Sequence, residues 1–211
     1  MEIIDFIRQF PVKPFKKGDI LLSEGDPTDT LFALRTGFIK VTSLNENGSE
    51  RLLWIAGRYD IAPTEQFFST RGLVQFFYTA LSDGNMYKID KVKLLNHAKV
   101  TPAFMTEIAT SMSIHYDDLL KRIDSIEQIS VREKLIHTLR YVAERFSADD
   151  VVDIYAMDLK LTHNDFAQMI GSTRETTSLE LNKLRDEGAI AYDRTQFVIY
   201  VSKLMELETI A

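Results

Sequence analysis

A short segment in the C-terminal third of the chain carries hydrogen-bonding side chains on one face of a predicted helix. Arg174, Glu175 and Ser178 lie near the N-terminal end of that helix, on its outward side. An arginine can pair with the N7 and O6 acceptors of guanine through two hydrogen bonds, and a glutamate can accept one from the amino group of cytosine. A recognition helix brings this same end to the base edges. These residues therefore predict direct reading of DNA bases.

Two short helices that meet at Gly171 would position these side chains. Thr162 is suited to cap the first helix, with Asp165 reaching back to it. Gly171 can adopt the left-handed conformation that ends a helix, and Ser172 or Thr173 then caps the second. The inward positions recur at helical spacing, at Phe166, Met169 and Ile170 and then at Thr177, Leu181 and Leu184. This pattern predicts a helix-turn-helix.

Several side chains and backbone N–H groups around the second helix can bind the DNA phosphates that flank a base-reading site. Thr173 and Thr176 lie at the helix start, where hydroxyls and backbone N–H groups can bind phosphate oxygens. Beyond the helix, β-rich runs at 189–192 and 197–200 predict a hairpin wing. Arg194, between the two runs, can reach a phosphate from that wing.

The charge of the chain does not favour nucleic acid. The net charge is −6, and residues 150–211 hold 6 Lys or Arg against 11 Asp or Glu. Since a basic surface is the usual mark of a DNA-binding domain, any contact must rest on a local cluster, namely Arg174, Lys183, Arg185, Arg194 and the helix N-termini. In an alternative interpretation, Glu175 closes a capping box with Ser172 and Arg174 is only solvated.

The segment Gly171–Thr176 resembles the Gly-x-Ser/Thr-Arg-Glu-Thr recognition segment of the cyclic-AMP receptor protein and fumarate–nitrate regulator (Crp/Fnr) superfamily. The resemblance implies a transcription regulator that binds double-stranded DNA as a homodimer and has RNA polymerase as a further partner. It also implies phosphate contacts by Thr162 and Asn164. Where the best-known members carry a second base-reading arginine, this chain has Leu179, which could instead contact a thymine methyl group.

The resemblance extends to the N-terminal part of the chain. From Lys17 to about Asp90, short β-rich runs alternate with turn signals, a pattern typical of an antiparallel sandwich or barrel. Their glycines match the recurring turns of the family's sensor domain. The expected fold class is α+β, with a jelly-roll sensor at 1–100, a dimerisation helix at 101–129 and a winged helix-turn-helix at 130–211.

The nucleotide-binding part of that family pattern is missing. Cyclic-nucleotide binders use a Gly-Glu pair and a following Arg-Ser pair around phosphate and ribose, but these positions fall near Pro63-Thr64 and Val74-Gln75 here. Glu65 and Arg71 could substitute only if the loop register shifts. We expect no gating by cyclic AMP and leave the effector-binding residues unassigned.

Other cofactors find little support in the sequence. Zero Cys excludes disulfides, thiolate nucleophiles and Cys-ligated iron–sulfur clusters. The four histidines, His97, His115, His137 and His163, stand in no haem motif, and no cluster of ligands suggests a metal. No catalytic constellation is present, so we expect no enzyme activity. No membrane-spanning run or signal peptide is recognised either, which makes a cytoplasmic protein the default expectation.

A helical period begins near Thr101 and continues for some 28 residues. An apolar series recurs near heptad spacing at Met105, Ile108, Met112, Leu119, Ile123 and Ile126, which predicts the seam of a parallel homodimer. The alternative is a helix packed along its own barrel. A capping box at Ser130–Glu133 then begins a new helix, which marks a hinge between sensor and DNA reader.

Three further interpretations stay open at this point. A cyclic nucleotide or another small effector in the barrel could gate the regulator. A regulator active without ligand could instead be controlled by its amount or by a protein partner. A scaffold that has lost DNA binding is also compatible with the acidic C-terminal region.

Overall fold

The computed structural model describes residues 2–27, 29–69, 72–146, 153–193 and 197–210. The chain divides into two compact units. The first contains residues 1–47 and 53–118, and the second contains residues 48–52 and 119–211. No helix among the described residues is long and apolar enough to cross a lipid bilayer.

Two four-stranded antiparallel sheets form the β domain that the sequence predicts. One has the order β1-β8-β3-β6 and the other the order β2-β7-β4-β5. The strands are β1 (Val12–Phe15), β2 (Ile20–Leu22), β3 (Thr30–Thr36), β4 (Ile39–Leu44), β5 (Glu50–Ala56), β6 (Ile61–Ala62), β7 (Phe77–Ala80) and β8 (Gly84–Asp90). Strands that follow each other in sequence lie in opposite sheets, except for β4 and β5, as expected of a jelly roll.

Apolar side chains fill the space between these sheets. The cluster includes Phe32, Leu34, Val41, Trp54 and Tyr78, all buried. A second cluster joins the β1-β8-β3-β6 sheet to helices α1 (Glu2–Ile7), α2 (Lys91–Val100) and the beginning of α3 (Pro102–Glu127). Burial of this apolar surface is the main stabilising term of the unit.

The long helix α3 has two different apolar faces. Phe104 and Ile108 are fully buried in the cluster that joins the β1-β8-β3-β6 sheet to the helices, so assigning Ile108 to a dimer seam is wrong. A second series on this helix has alternating spacings of four and three residues, namely Met105, Ala109, Met112, Tyr116, Leu119, Ile123 and Ile126. Most of its members are exposed, but Leu119 is half-buried and Met112 packs against the same buried cluster as Ile108. The alternative interpretation, a helix packed along its own barrel, is therefore confirmed for the face of Phe104 and Ile108, and the dimer seam stays a prediction for the other face.

The second unit consists of helices around a small sheet. The elements are α4 (Val131–Phe146), β9 (Ile154–Met157), α5 (His163–Ile170), α6 (Arg174–Asp186), β10 (Ile190–Tyr192), β11 (Phe197–Tyr200) and α7 (Val201–Ile210). The sheet has the order β10-β11-β9. Ser130 and Glu133 form the predicted capping box at α4, since each backbone N–H donates to the other side chain. The predicted hairpin of β10 and β11 is also confirmed.

Candidate nucleic-acid interface

The first helix of the helix-turn-helix begins and ends as the sequence predicts. The Thr162 hydroxyl accepts from the backbone N–H of Asp165 at 3.1 Å, and the Asp165 carboxylate accepts from the backbone N–H of Thr162 at 2.8 Å. At the other end Gly171 has a φ of 68°, the left-handed region that glycine tolerates best. This pair of caps sets the length of α5 and therefore the position at which α6 begins.

The recognition helix α6 is capped by Thr173. Its hydroxyl accepts from the backbone N–H of Thr176 at 3.2 Å, and the two threonine hydroxyls are 2.9 Å apart. The alternative capping box of Ser172 with Glu175 is wrong, because the helix begins one residue later than that box requires. Glu175 therefore remains available on the helix surface.

The two faces of α6 differ as base recognition requires. Thr177, Leu181 and Leu184 are fully buried against the rest of the second unit. Arg174 and Glu175 are exposed near the N-terminal end, and Ser178 is half-buried one turn further on. Leu179 is 63% exposed on the following turn. An exposed polar row followed by an exposed leucine is an arrangement that can meet base edges.

Most cations of α6 are paired with neighbouring carboxylates. The Lys183 ammonium lies 2.7 Å from Glu180, and the Arg185 guanidinium lies 3.1 Å from Asp186. Among the described residues, none forms an ion pair with Arg174. The free positive charge of the helix is therefore concentrated at its N-terminal end, where the helix dipole also favours an anion.

His163 is a part of this surface that sequence reasoning did not identify. It is the first residue of α5, and its Nδ1 atom lies 2.9 Å from the Ser178 hydroxyl of α6. Its ring meets Tyr192 of β10 edge to face, with centroids 5.3 Å apart. Burial, with the charges of Arg174 and Arg185, lowers the pKa of His163. The sequence feature that could have identified His163 is its position between Thr162 and Asn164, which are both predicted phosphate contacts.

The sequence also did not predict the contacts that Arg122 and Arg51 make with the helix-turn-helix. Arg122 is buried, and its guanidinium donates to the Met169 carbonyl of α5 at 2.7 Å and to the Leu52 carbonyl at 3.3 Å. The first of these carbonyls lies in the last turn of α5, where C=O groups lack helical partners and attract cations. The Arg51 guanidinium lies beside Gly171 at the turn. Both contacts join segments far apart in the chain, which is why no local pattern indicated them.

Two protein-family models match this chain. The cyclic nucleotide-binding domain matches residues 12–99, and the Crp-like helix-turn-helix domain matches residues 133–210. Together they cover most of the chain. The first model matches the part of the chain that forms the β domain, and the second matches the part that contains the helix-turn-helix. The chain belongs to the Crp/Fnr superfamily of transcription regulators.

Relatives and solved structures of this superfamily span nearly the whole chain. The anaerobic regulatory protein of Bacillus subtilis (strain 168) is 24% identical over 89% of this chain and 78% of its own length. The cAMP-activated global transcriptional regulator CRP of Pasteurella multocida (strain Pm70) is 22% identical over 92% of each chain. The structure of FixK2 from Bradyrhizobium japonicum has the same fold, with a TM-score of 0.80 at 15% identity over 94% of this chain and 97% of its own. These relatives are transcription regulators and not enzymes.

Membership in the Crp/Fnr superfamily makes the helix-turn-helix a DNA-binding element. Of the predicted contact residues, the structure brings Arg174, Glu175, Ser178, Thr173 and Thr176 together on α6 and its cap. Thr162 and Asn164 lie at the exposed start of α5. Arg194 lies outside the described residues.

Two positions at which cyclic-nucleotide binders of the Crp/Fnr superfamily hold phosphate and ribose carry different residues here. Pro63 has no N–H to offer a phosphate. Val74, near the family's arginine position, is buried in the apolar core. The Glu65 carboxylate accepts a hydrogen bond from the Tyr78 hydroxyl at 2.8 Å, and burial raises the pKa of Tyr78 so that this donor stays protonated. Arg71, the remaining candidate, lies outside the described residues.

Proposed function

We propose that this protein is a sequence-specific DNA-binding regulator that acts as a homodimer in the cytoplasm and is not gated by cyclic AMP. The observation that carries the proposal is the surface formed by Arg174, Glu175 and Ser178 on a helix whose other face is fully buried. Arg174 reads guanine and Glu175 reads cytosine through the chemistry of their side chains. Thr162, Asn164, Thr173, Thr176 and Arg194 contact phosphates and fix the register on the duplex.

The homodimer is supported by the outward face of α3. Tyr116 is 61% exposed and Ile123 is 53% exposed, although both are large apolar side chains. They belong to the series with alternating spacings of four and three, which is the repeat of a two-stranded coiled coil. A partner copy of α3 would cover this face and place two recognition helices in a symmetric pair.

Independence from cyclic AMP is supported by the sensor domain. The segment Pro63–Gln66 supplies no cation, and its one carboxylate is engaged by Tyr78. We further propose RNA polymerase as a partner, since the superfamily consists of transcription regulators.

A regulator gated by a different small effector is the second candidate, and one observation favours it. Gln66 is almost fully buried, and its side-chain carbonyl oxygen accepts no hydrogen bond from a described residue. A buried acceptor without a donor costs stability unless a ligand or water satisfies it. An effector that presents a hydrogen-bond donor would suit this position. Native mass spectrometry of the purified protein tests for such a molecule.

Selection of random DNA duplexes with the purified protein, without added ligand and at physiological salt, tests the main proposal. We expect a palindromic site whose half-sites are about 34–36 Å apart centre to centre, as a two-fold pair of recognition helices requires. Asymmetric, unpaired sites would contradict the homodimer. No enrichment without ligand, but enrichment with a cell metabolite extract, would favour the gated regulator. No enrichment under either condition would favour a scaffold that has lost DNA binding.

A further inference from the structure

We propose that His163 is a positioning residue that sets the hydrogen-bond polarity of Ser178 and thereby the base that Ser178 selects. This inference rests on the proposed function, since it concerns one base contact of the DNA-reading helix. It assigns a role to a histidine that neither the helix-turn-helix pattern nor the predicted contacts include. Its basis is the 2.9 Å approach of the His163 Nδ1 atom to the Ser178 hydroxyl.

The surroundings of His163 hold its ring in this orientation. Tyr192 packs edge to face against the imidazole, and its own ring stacks on Phe197 with centroids 5.3 Å apart. The Tyr192 hydroxyl donates to the Asn182 side chain of α6 at 3.0 Å. The imidazole is therefore held between α6 and β10, and its contact with Ser178 does not depend on a freely rotating side chain.

The hydroxyl of Ser178 has one hydrogen to donate, and His163 determines where that hydrogen points. A neutral imidazole with a lone pair on Nδ1 accepts the Ser178 hydrogen, which leaves the serine oxygen to accept from a base. The amino groups of adenine and cytosine are the donors in the major groove. A protonated imidazole can only donate from Nδ1. The Ser178 hydrogen is then directed outward, towards the acceptors of guanine or thymine.

The charges around His163 favour the neutral form. Among the residues that the structure describes, Arg174 and Arg185 of α6 are the charged groups that act on the imidazole, and both are cationic. From β10 it meets the Tyr192 ring. Burial has the largest effect and the two arginines add to it, so the pKa of His163 lies below its ordinary value. With the proton of the neutral ring on Nε2, the arrangement selects a base that donates at neutral pH, and acidification reverses the preference.

The test is a selection of DNA sites by four proteins at about pH 8 and about pH 5, the range over which histidine titrates. They are the wild type, His163→Phe, Ser178→Ala and the double variant. His163→Phe keeps a planar ring against Tyr192 but removes Nδ1. His137→Gln is the matched control, because His137 lies on α4 and contacts Asp124 and Glu208 instead.

We expect the wild type to prefer adenine or cytosine at one base pair at about pH 8, and to shift towards guanine or thymine at about pH 5. His163→Phe should reduce the preference at that base pair about three- to tenfold, the effect of one hydrogen bond, and should abolish the pH shift. In the Ser178→Ala background, His163→Phe should have no further effect. His137→Gln should behave as the wild type does.

Three outcomes would overturn the inference while leaving the proposed function in place. In the first, the wild type and His163→Phe show the same preference at every base pair. In the second, the base preference of His163→Phe still shifts with pH. In the third, the effects of His163→Phe and Ser178→Ala add in the double variant. If the wild type enriches no site at all, the proposed function fails and the inference fails with it.

Discussion

In the proposed mode of base recognition, Arg174 is the side chain that contributes most. Arg174→Ala should reduce discrimination against a wrong base pair by about 1–3 kcal/mol, because a bidentate pair with guanine is lost. General affinity for duplex DNA should change less, since other groups contact the phosphates. Competition binding with matched and mismatched duplexes measures both quantities. Lys183→Ala is the control, since Lys183 is paired with Glu180 and should leave discrimination unchanged. Equal losses on all sequences would make Arg174 a phosphate contact.

Gly171 has a structural role that can be measured without DNA. Its φ of 68° is unfavourable for a residue with a Cβ atom, so Gly171→Ala should lower the free energy of unfolding by roughly 1–2 kcal/mol. The Cβ would also meet the Arg51 guanidinium, but that side chain can move aside at small cost. Denaturant unfolding gives the value. Gly72→Ala is the matched control, since a Cβ there would meet open space and its φ is not in the left-handed region. Similar losses in both variants would exclude the backbone explanation.

The proposed homodimer depends on helix α3. Ile123→Asp would place a carboxylate in the middle of the proposed seam, and the dimer should weaken by about 3 kcal/mol or more, equivalent to about 100-fold in dissociation constant. Sedimentation equilibrium measures the change. Thr110→Asp is the control, because Thr110 is exposed on the same helix but lies outside the apolar series. Binding to a palindrome should weaken with the dimer, whereas binding to a single half-site should not. A dimer unaffected by Ile123→Asp would move the interface elsewhere.

At the scale of the whole molecule, the negative net charge and the paired cations are expected to limit non-specific binding to DNA. The net charge is −6, and Lys183 and Arg185 of the recognition helix are paired with carboxylates. Each phosphate that a cation neutralises adds about 0.9 to the slope of log affinity against log salt concentration. We therefore expect a shallow slope and weak binding to unrelated duplex DNA at physiological salt. Titration of a labelled random duplex at several salt concentrations measures both. A slope near −10 would indicate many more phosphate contacts than this surface offers.

Short-range patterns predicted those parts of the protein whose structure depends on neighbouring residues. Thr162, Asp165 and Gly171 act on backbone groups within four residues, so their caps could be read from the chain, as could the helix-turn-helix and the β10–β11 hairpin. The apolar period of α3 likewise predicted a long helix. Family resemblance added the jelly roll, because its turns recur at recognisable positions.

Tertiary structure decided what those elements contact. Periodicity could not tell that Ile108 packs into the core while Ile123 remains outward, because both recur at helical spacing and only neighbouring elements cover one of them. It could not pair His163 with Ser178, or Glu65 with Tyr78, since such contacts arise only when separate elements meet. Folding thus determines which polar groups of the reading helix remain available to DNA and which are held by the protein.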